Sequence, residues 1–182
     1  MKWLCEKIIV WRGWTIEGTR PDVKKAVFIG APHTSNWDFL FFMAVINHFD
    51  MRVKFLIKDG VMKWPLSLLL TRLGAIPVDR SSHHDLIARA VKSFEAHDEM
   101  MLLIAPEGTR ARADHWRSGF WRIADAADVP VVTAFIDGET KRTGLGPMFT
   151  VGGDPDALMA RAREFYSDKH GLKPLNAGPV RL

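Results

Sequence analysis

His33 and Asp38 are the two side chains of this sequence whose types and spacing best suit moving a proton. A neutral imidazole accepts a proton near pH 7, and a carboxylate that holds one ring nitrogen leaves the other to work. The spacing sets a condition on the backbone. Five positions apart on one continuous helix, two side chains stand about 140° apart around the axis. His33 must therefore lie in a loop, with a helix starting near Ser35, for the ring to turn back onto Asp38. Ser35 is a good N-cap, and Pro32 discourages an earlier start. The same residues also fit a structural role. Ser35-x-x-Asp38 before an apolar run is a capping-box pattern, and a histidine at a strand end can be a satisfied polar group.

The flanking sequence supplies elements that could position the pair. Residues 24–30 read as a buried strand and 36–48 as an apolar helix, with His33 between them. Residues 52–58 alternate as a second strand. Residues 61–73 form a compact apolar helix with a kink or restart at Pro65, its leucines facing the core or something oily. A short strand at 75–78 follows, limited on one side by Pro77. Ser81 and Ser82 cap a helix to about residue 97. A strand at 100–105 runs into Pro106-Glu107-Gly108-Thr109-Arg110. A helix at 120–127, a strand at 129–135, an edge strand at 148–151 and a helix from 154 or 155 to about 170 complete the chain. The tail, 171–182, reads as irregular.

Strands separated by helices at this spacing predict a single α/β layered domain over 1–182, with a mixed, mostly parallel sheet flanked by helices. His33, Arg80 and Glu107 each fall just past the C-terminal end of an expected strand. In open α/β sheets the ligand crevice lies outside those ends, so three polar loops should share one rim.

Composition narrows the function. The 182 residues are 47% hydrophobic and 25% charged with a net charge of +4, an ordinary globular balance with a mild basic excess. That excess suits anionic substrates or an anionic membrane surface. With no arginine-rich tail and no zinc-finger spacing, no nucleic-acid partner is expected. One cysteine, Cys5, allows no intrachain disulfide and points to a reducing compartment. No apolar run approaches the ~18 residues that span a bilayer, and Glu6 and Lys7 interrupt any signal-peptide core. Residues 1–14 carry Trp3, Trp11 and Trp14 among basic residues, as either an interfacial helix or one folded onto the core. The expected location is cytoplasmic, peripheral to the inner face of a membrane. No metal is expected: His83 and His84 diverge on a helix, and neither HExxH nor a Cys/His cluster occurs.

Four blocks in order carry a resemblance. His33-Thr34-Ser35-Asn36-Trp37-Asp38, then Gly74 to Arg80, then Pro106-Glu107-Gly108-Thr109-Arg110, then Val129-Pro130-Val131-Val132 span the middle of the chain. In these the chain resembles the acylglycerol-phosphate acyltransferase family, the lysophospholipid and glycerophosphate acyltransferases with an H-x4-D motif. Pro77 stands where that family usually has phenylalanine, Thr133 where it has a second proline, and Arg117 where a lysine before x-Gly is common. The chain is also shorter than the phosphatidate-forming members and lacks their membrane-spanning N-terminal segments.

The resemblance implies a glycerolphosphate-acyltransferase-like fold and an O-acyltransferase. Acyl-CoA or acyl-carrier protein would be the donor, and a lysophospholipid or glycerophosphate-type hydroxyl the acceptor, with no other cofactor. His33 would be the general base and Asp38 its orienting partner. Arg80, Glu107, Gly108, Thr109 and Arg110 would bind the acceptor, the arginines on its phosphate. No G-x-S-x-G occurs and Cys5 is remote, so direct transfer without an acyl-enzyme is the economical route. Two alternatives stand beside this: the same fold as a non-catalytic lipid-binding module, or an enzyme acylating a non-phosphorylated acceptor. A phosphate-ester hydrolase on the same rim would lack a metal cluster or P-loop to assist it.

Overall fold

Seven strands form one sheet in the computed structural model, which describes residues 2–78, 83–152 and 154–182. In chain order they are β1 (Thr15–Glu17), β2 (Lys25–Ala31), β3 (Val53–Lys58), β4 (Ala75–Val78), β5 (Met100–Ile104), β6 (Val131–Asp137) and β7 (Arg142–Phe149). Across the sheet the order is β1-β7-β6-β2-β5-β3-β4, and every pairing is parallel except β6 with β7. The helices are α1 (Lys2–Trp11), α2 (Asp38–His48), α3 (Leu66–Arg72), α4 (His83–Ala96), α5 (Gly119–Ala126) and α6 (Pro155–Tyr166).

β2 is central because it is apolar on both faces, as a parallel strand covered on both sides must be. Val27 and Ile29 point to a core shared with Phe94 of α4, Phe120 and Ile123 of α5 and Leu158 of α6. Ala26 and Phe28 point the other way, to Met43 and Ile46 of α2, Phe55 of β3 and Leu70 of α3. This alternation is the period-2 geometry of a strand feeding two cores. α1 lies outside α2, burying Ile9 against Phe41 and Ala44, with the Trp14 and Phe41 ring centroids 4.2 Å apart.

The order places the site. β2 and β5 are direct neighbours with Ile29 opposite Ile104, so the loops following them must touch. β4 is an edge strand, consistent with Pro77, and pairs only with β3. Its end lies roughly 14 Å across the sheet from β2, three inter-strand steps of about 4.8 Å.

Several expectations shift. The 148–151 edge strand is instead the eight-residue β7, and it is interior, between β6 and β1. Its sequence carries Gly144, Gly146 and Pro147 rather than an apolar run. A Cβ on Gly144 would meet the Glu17 carbonyl oxygen at 2.0 Å, so the glycine is what lets β1 approach. The helix expected over 61–73 is helical only from Leu66, after Pro65. α6 ends at Tyr166 rather than near 170. Asp79 to Ser82, including Arg80 and the expected serine cap, lie outside the described residues.

Candidate active site

β2 stops at Ala31 and the chain crosses the rim as Pro32-His33-Thr34-Ser35 before a turn at Asn36-Trp37 opens α2. The helix begins at Asp38, three residues later than Ser35, and Ser35 does not cap it. Its hydroxyl oxygen instead accepts the Trp37 N–H at 3.2 Å, closing the turn. The reason is that Asp38 organises the loop from the helix side. Its Oδ2 accepts the Thr34 N–H at 2.8 Å and the Ser35 N–H at 2.9 Å, and lies 2.9 Å from His33 Nδ1. A carboxylate only accepts, so Nδ1 carries the proton and Nε2 is the basic nitrogen. The two readings of the motif therefore coincide: Asp38 ties the loop backbone and orients the imidazole with one oxygen.

His33 is half-buried and Asp38 only 5% exposed. Glu107 lies beneath them, also 5% exposed, and its Oε1 accepts the His33 backbone N–H at 3.0 Å. Thus the loops after β2 and β5 are joined by a backbone-to-carboxylate bond. Burial pushes the Glu107 carboxyl above its usual range, against the lowering effect of the His33 N–H. Asp38 Oδ1 and Glu107 Oε2 are buried and without a hydrogen-bond partner among the described residues. Such orphaned polar atoms are uncommon in a settled core and mark this corner as functional or strained. Below it, the Tyr166 hydroxyl lies 2.9 Å from the Ile29 carbonyl oxygen and 3.0 Å from that of Ala134, pinning α6 to β2 and β6. Burial, reinforced by the Glu107 charge, raises the Tyr166 phenol well above its ordinary value.

The rest of the third block faces outward. Gly108 has φ +67°, and a Cβ there would meet Arg117 Nε at 2.6 Å, so the arginine lies across the glycine backbone. The Thr109 hydroxyl accepts the Ala111 N–H at 3.2 Å and shapes the turn. Arg110 is exposed on the rim, whereas Arg112 is engaged elsewhere, donating to the Ala177 carbonyl at 2.8 Å.

A cavity of about 1050 Å³ opens beside these residues, at the upper end of the ~300–1,000 Å³ usual for ligand sites. His33, Asp38, Gly108, Thr109, Arg110 and Arg117 stand along it, and Lys58 adds a further cation. Its remaining wall is largely apolar, with Phe39, Phe42, Phe55 and Leu66 among the contributors. Val78 also lines it, so the cavity reaches the end of β4, the strand that leads to Arg80. No cluster of metal-binding side chains occurs among the described residues.

Sequence reasoning named His33, Asp38 and Glu107, which the structure brings together, and Arg110, which shares their rim. It did not foresee Lys58, whose strand-end position was its only signal. Arg117 was visible as a basic residue before x-Gly and now lies against the Gly108 backbone. Thr34, inside the first block, carries no sequence signal of a part of its own.

A family model described as Acyltransferase matches residues 15–137, from β1 to the end of β6. No curated protein matches. Among solved structures, the 1-acyl-sn-glycerophosphate (LPA) acyltransferase PlsC from Thermotoga maritima superposes with a TM-score of 0.64 at 17% identity. The match covers 90% of this chain and 74% of that one. At that identity the likeness is one of fold.

Proposed function

The chain belongs to the Acyltransferase family and is an acyl-transferring enzyme, and from that premise we propose that it moves a fatty acyl group from the thioester of acyl-CoA or acyl-carrier protein to a hydroxyl of a lysophospholipid or glycerophosphate-type acceptor. One observation carries this reading: His33 Nδ1 rests on Asp38 Oδ2 at 2.9 Å on the wall of a large, mostly apolar cavity with arginines at its rim.

In the proposed reaction His33 Nε2 takes the acceptor's hydroxyl proton as that oxygen attacks the thioester carbonyl carbon. Asp38 stabilises the imidazolium as it forms, the part a carboxylate plays in hydrolytic triads. Collapse of the tetrahedral intermediate breaks the C–S bond, and the imidazolium returns its proton to the departing thiolate. The products are an ester and a free thiol, with no covalent enzyme intermediate. Ser35 does not suit a nucleophile's part, since it is buried with its hydroxyl on the Trp37 N–H, and Cys5 sits in α1.

Arg110 and Arg117, with Arg80 as a further candidate, would hold the acceptor phosphate, because a guanidinium forks onto phosphate oxygens and stays charged. Glu107 serves this reading by holding the His33 loop rather than by reaching the acceptor. Phe39, Phe42, Phe55 and Leu66 would line the path of the acyl chain. The last of these belongs to α3, whose neighbouring side chains Trp64 and Leu68 are 81% and 65% exposed. Trp3 and Trp11 of α1 are likewise exposed, with Lys7 and Arg12 over their rings. No described helix is long and apolar enough to cross a membrane. These surfaces fit a peripheral position on a lipid interface, from which an acyl chain could enter beside α3.

The deciding experiment is the purified protein with labelled acyl-CoA or acyl-carrier protein, a panel of phosphorylated and non-phosphorylated acceptors, and mass detection of product. Ester formed on phosphorylated acceptors, and lost in His33→Ala, supports the proposal. Ester formed only on acceptors without phosphate would replace the acceptor class, and no ester on any acceptor would remove the proposal.

A further inference from the structure

The chain beyond α6 was expected to be an irregular tail. It is irregular, but it is built into the catalytic corner. It leaves the helix beside β6, where the buried Asp137 carboxylate accepts the His170 N–H at 3.3 Å and the Gly138 N–H donates to the Gly171 carbonyl at 3.1 Å. Gly171 then passes directly over Thr34. Its φ is +67°, and a Cβ there would lie 2.9 Å from Thr34 Oγ1 and 3.0 Å from Thr34 Cγ2, so only glycine fits without displacing the threonine. Next, the backbone N–H groups of Leu172 and Lys173 both donate to Thr34 Oγ1, each at 3.1 Å. Asn176 Nδ2 donates to the Thr34 carbonyl at 3.3 Å.

Thr34 is the residue between His33 and the rest of the motif, and its own N–H is one of the donors that fix Asp38 Oδ2. All of its backbone and side-chain oxygens and its nitrogen are thereby committed, inward to Asp38 and outward to the tail. Thr34 is 2% exposed. Further on, the tail reaches the other site loop: Ala177 takes Arg112 Nη1 at 2.8 Å. A Cβ on Gly178 would meet the Ala113 carbonyl oxygen at 2.0 Å. One segment therefore spans both loops that carry the chemistry, and it lies outside residues 15–137, where the family model matches.

We propose that residues 170–177 form a strap that positions His33 and Asp38 through Thr34, making Thr34 and Asn176 positioning residues for the acyl-transfer reaction. The inference rests on the proposed role of His33 as base. The strap fixes the Thr34 peptide plane, which fixes one donor to Asp38 Oδ2 and with it the direction in which that oxygen meets Nδ1. Loosening the strap leaves both catalytic side chains present while their mutual geometry widens.

The test compares Thr34→Val, Thr34→Ser and Asn176→Ala with wild type, each as the whole chain. Valine keeps the shape of threonine and removes the acceptor for two backbone N–H groups, while serine restores it. Two readouts are taken: kcat and KM per folded molecule with labelled acyl-CoA and a lysophospholipid, and the NMR resonance of the His33 Nδ1–H that Asp38 Oδ2 holds. Thr34→Val should lose about 10–100-fold in kcat, the scale on which small misplacements act, with both KM values little changed. Thr34→Ser should recover most of the loss, and Asn176→Ala should show a smaller fall. The Nδ1–H resonance should move upfield and exchange faster with water in Thr34→Val and Asn176→Ala, because a wider contact with Asp38 Oδ2 is a weaker hydrogen bond. Unchanged kcat and an unchanged Nδ1–H resonance in both variants would overturn the strap. If Thr34→Val does not fold, Asn176→Ala decides by the same two readouts. If wild type transfers no acyl group at all, the reading of the reaction fails, while the Nδ1–H resonance still reports whether the strap governs the His33–Asp38 contact.

Discussion

The two ends of the cavity are built on opposite principles. At the β2–β5 end, polar atoms are buried and tied: Asp38 Oδ2 faces three nitrogens, Glu107 Oε1 holds the His33 backbone, and Thr34 is held from two sides. At the β3–β4 end, α3 buries only Leu70 and leaves Leu68 in solvent, Trp64 just before it is exposed too, and β4 has a single neighbour. Proton transfer depends on placement to a fraction of an ångström, which a network of short bonds provides. The acyl chain, which the proposed function seats at this end, would be recognised by apolar area without direction, so its wall can be short and loosely supported. The fixed end suits the step common to every substrate, and the open end suits the part of the substrate that varies.

The largest effect should come from breaking the fixed end at Asp38. Asp38→Asn places an amide where one oxygen has three nitrogens to accept and the other has none. If the carbonyl keeps the backbone donors, the NH2 is buried without a partner, costing about 1–3 kcal/mol. If the amide turns, it forces the wrong tautomer on His33. Either way the transfer rate per folded molecule should fall by orders of magnitude, measured by product formation against the folded fraction from thermal melts.

Arg110→Ala should act next in size and differently. Losing a charged hydrogen bond to phosphate, about 1.5–3 kcal/mol, should raise the acceptor KM tenfold or more while the donor KM changes little. An unchanged acceptor KM would move the phosphate to Arg117 or Arg80. At the open end, Trp64→Ser with Leu68→Ser should leave the melting temperature near wild type, since both side chains are exposed. If the proposed lipid contact holds, burying an apolar side chain of this size is worth about 1.5–3 kcal/mol, so flotation with anionic vesicles should weaken by about tenfold or more. Equal flotation of variant and wild type would leave α3 without a lipid role.

The smallest effect sharpens the contrast within the fixed end. Burial raises the Glu107 pKa above its unfolded value, so ionising it costs stability as pH rises from the ordinary carboxylate range through the raised folded value. Glu107→Gln keeps an acceptor for the His33 N–H and removes that cost. Its melting temperature relative to wild type should therefore increase from acid to neutral pH. A difference that stays flat with pH would mean that Glu107 ionises as freely in the fold as out of it.

Much of this division was legible in the residues. The apolar run of β2 and the polar blocks after β2 and β5 place His33 and Glu107 on a shared rim, because parallel strands end side by side. What stayed hidden depended on contacts distant in sequence. The start of α2 could not be read from Ser35: its hydroxyl takes the Trp37 N–H to close a turn, while Asp38 reaches backward to the Thr34 and Ser35 N–H groups, and the helix opens only at Asp38. β7 carries Gly144 and Gly146 where a strand signal calls for β-branched residues, and its place is set by β1 pressing against Gly144 and by Phe165 and Thr133 closing over Gly146. The strap has no periodicity at all: its hold on Thr34 runs through backbone N–H groups, which every sequence possesses. Only Gly171 and Asn176 hint at it, and neither says what it meets.

The central claim is that the imidazole of His33 takes the acceptor proton. The most direct measurement is the transfer rate per folded molecule of His33→Ala beside wild type, with labelled acyl donor and a phosphorylated acceptor, from acid to neutral pH. Removing a general base typically costs about 10²–10⁴-fold. Wild-type kcat/KM should decline toward acid pH as the ring becomes protonated, while the residual rate of His33→Ala should lack that decline. A rate near wild type in His33→Ala, or the same acid decline in both proteins, would contradict the mechanism.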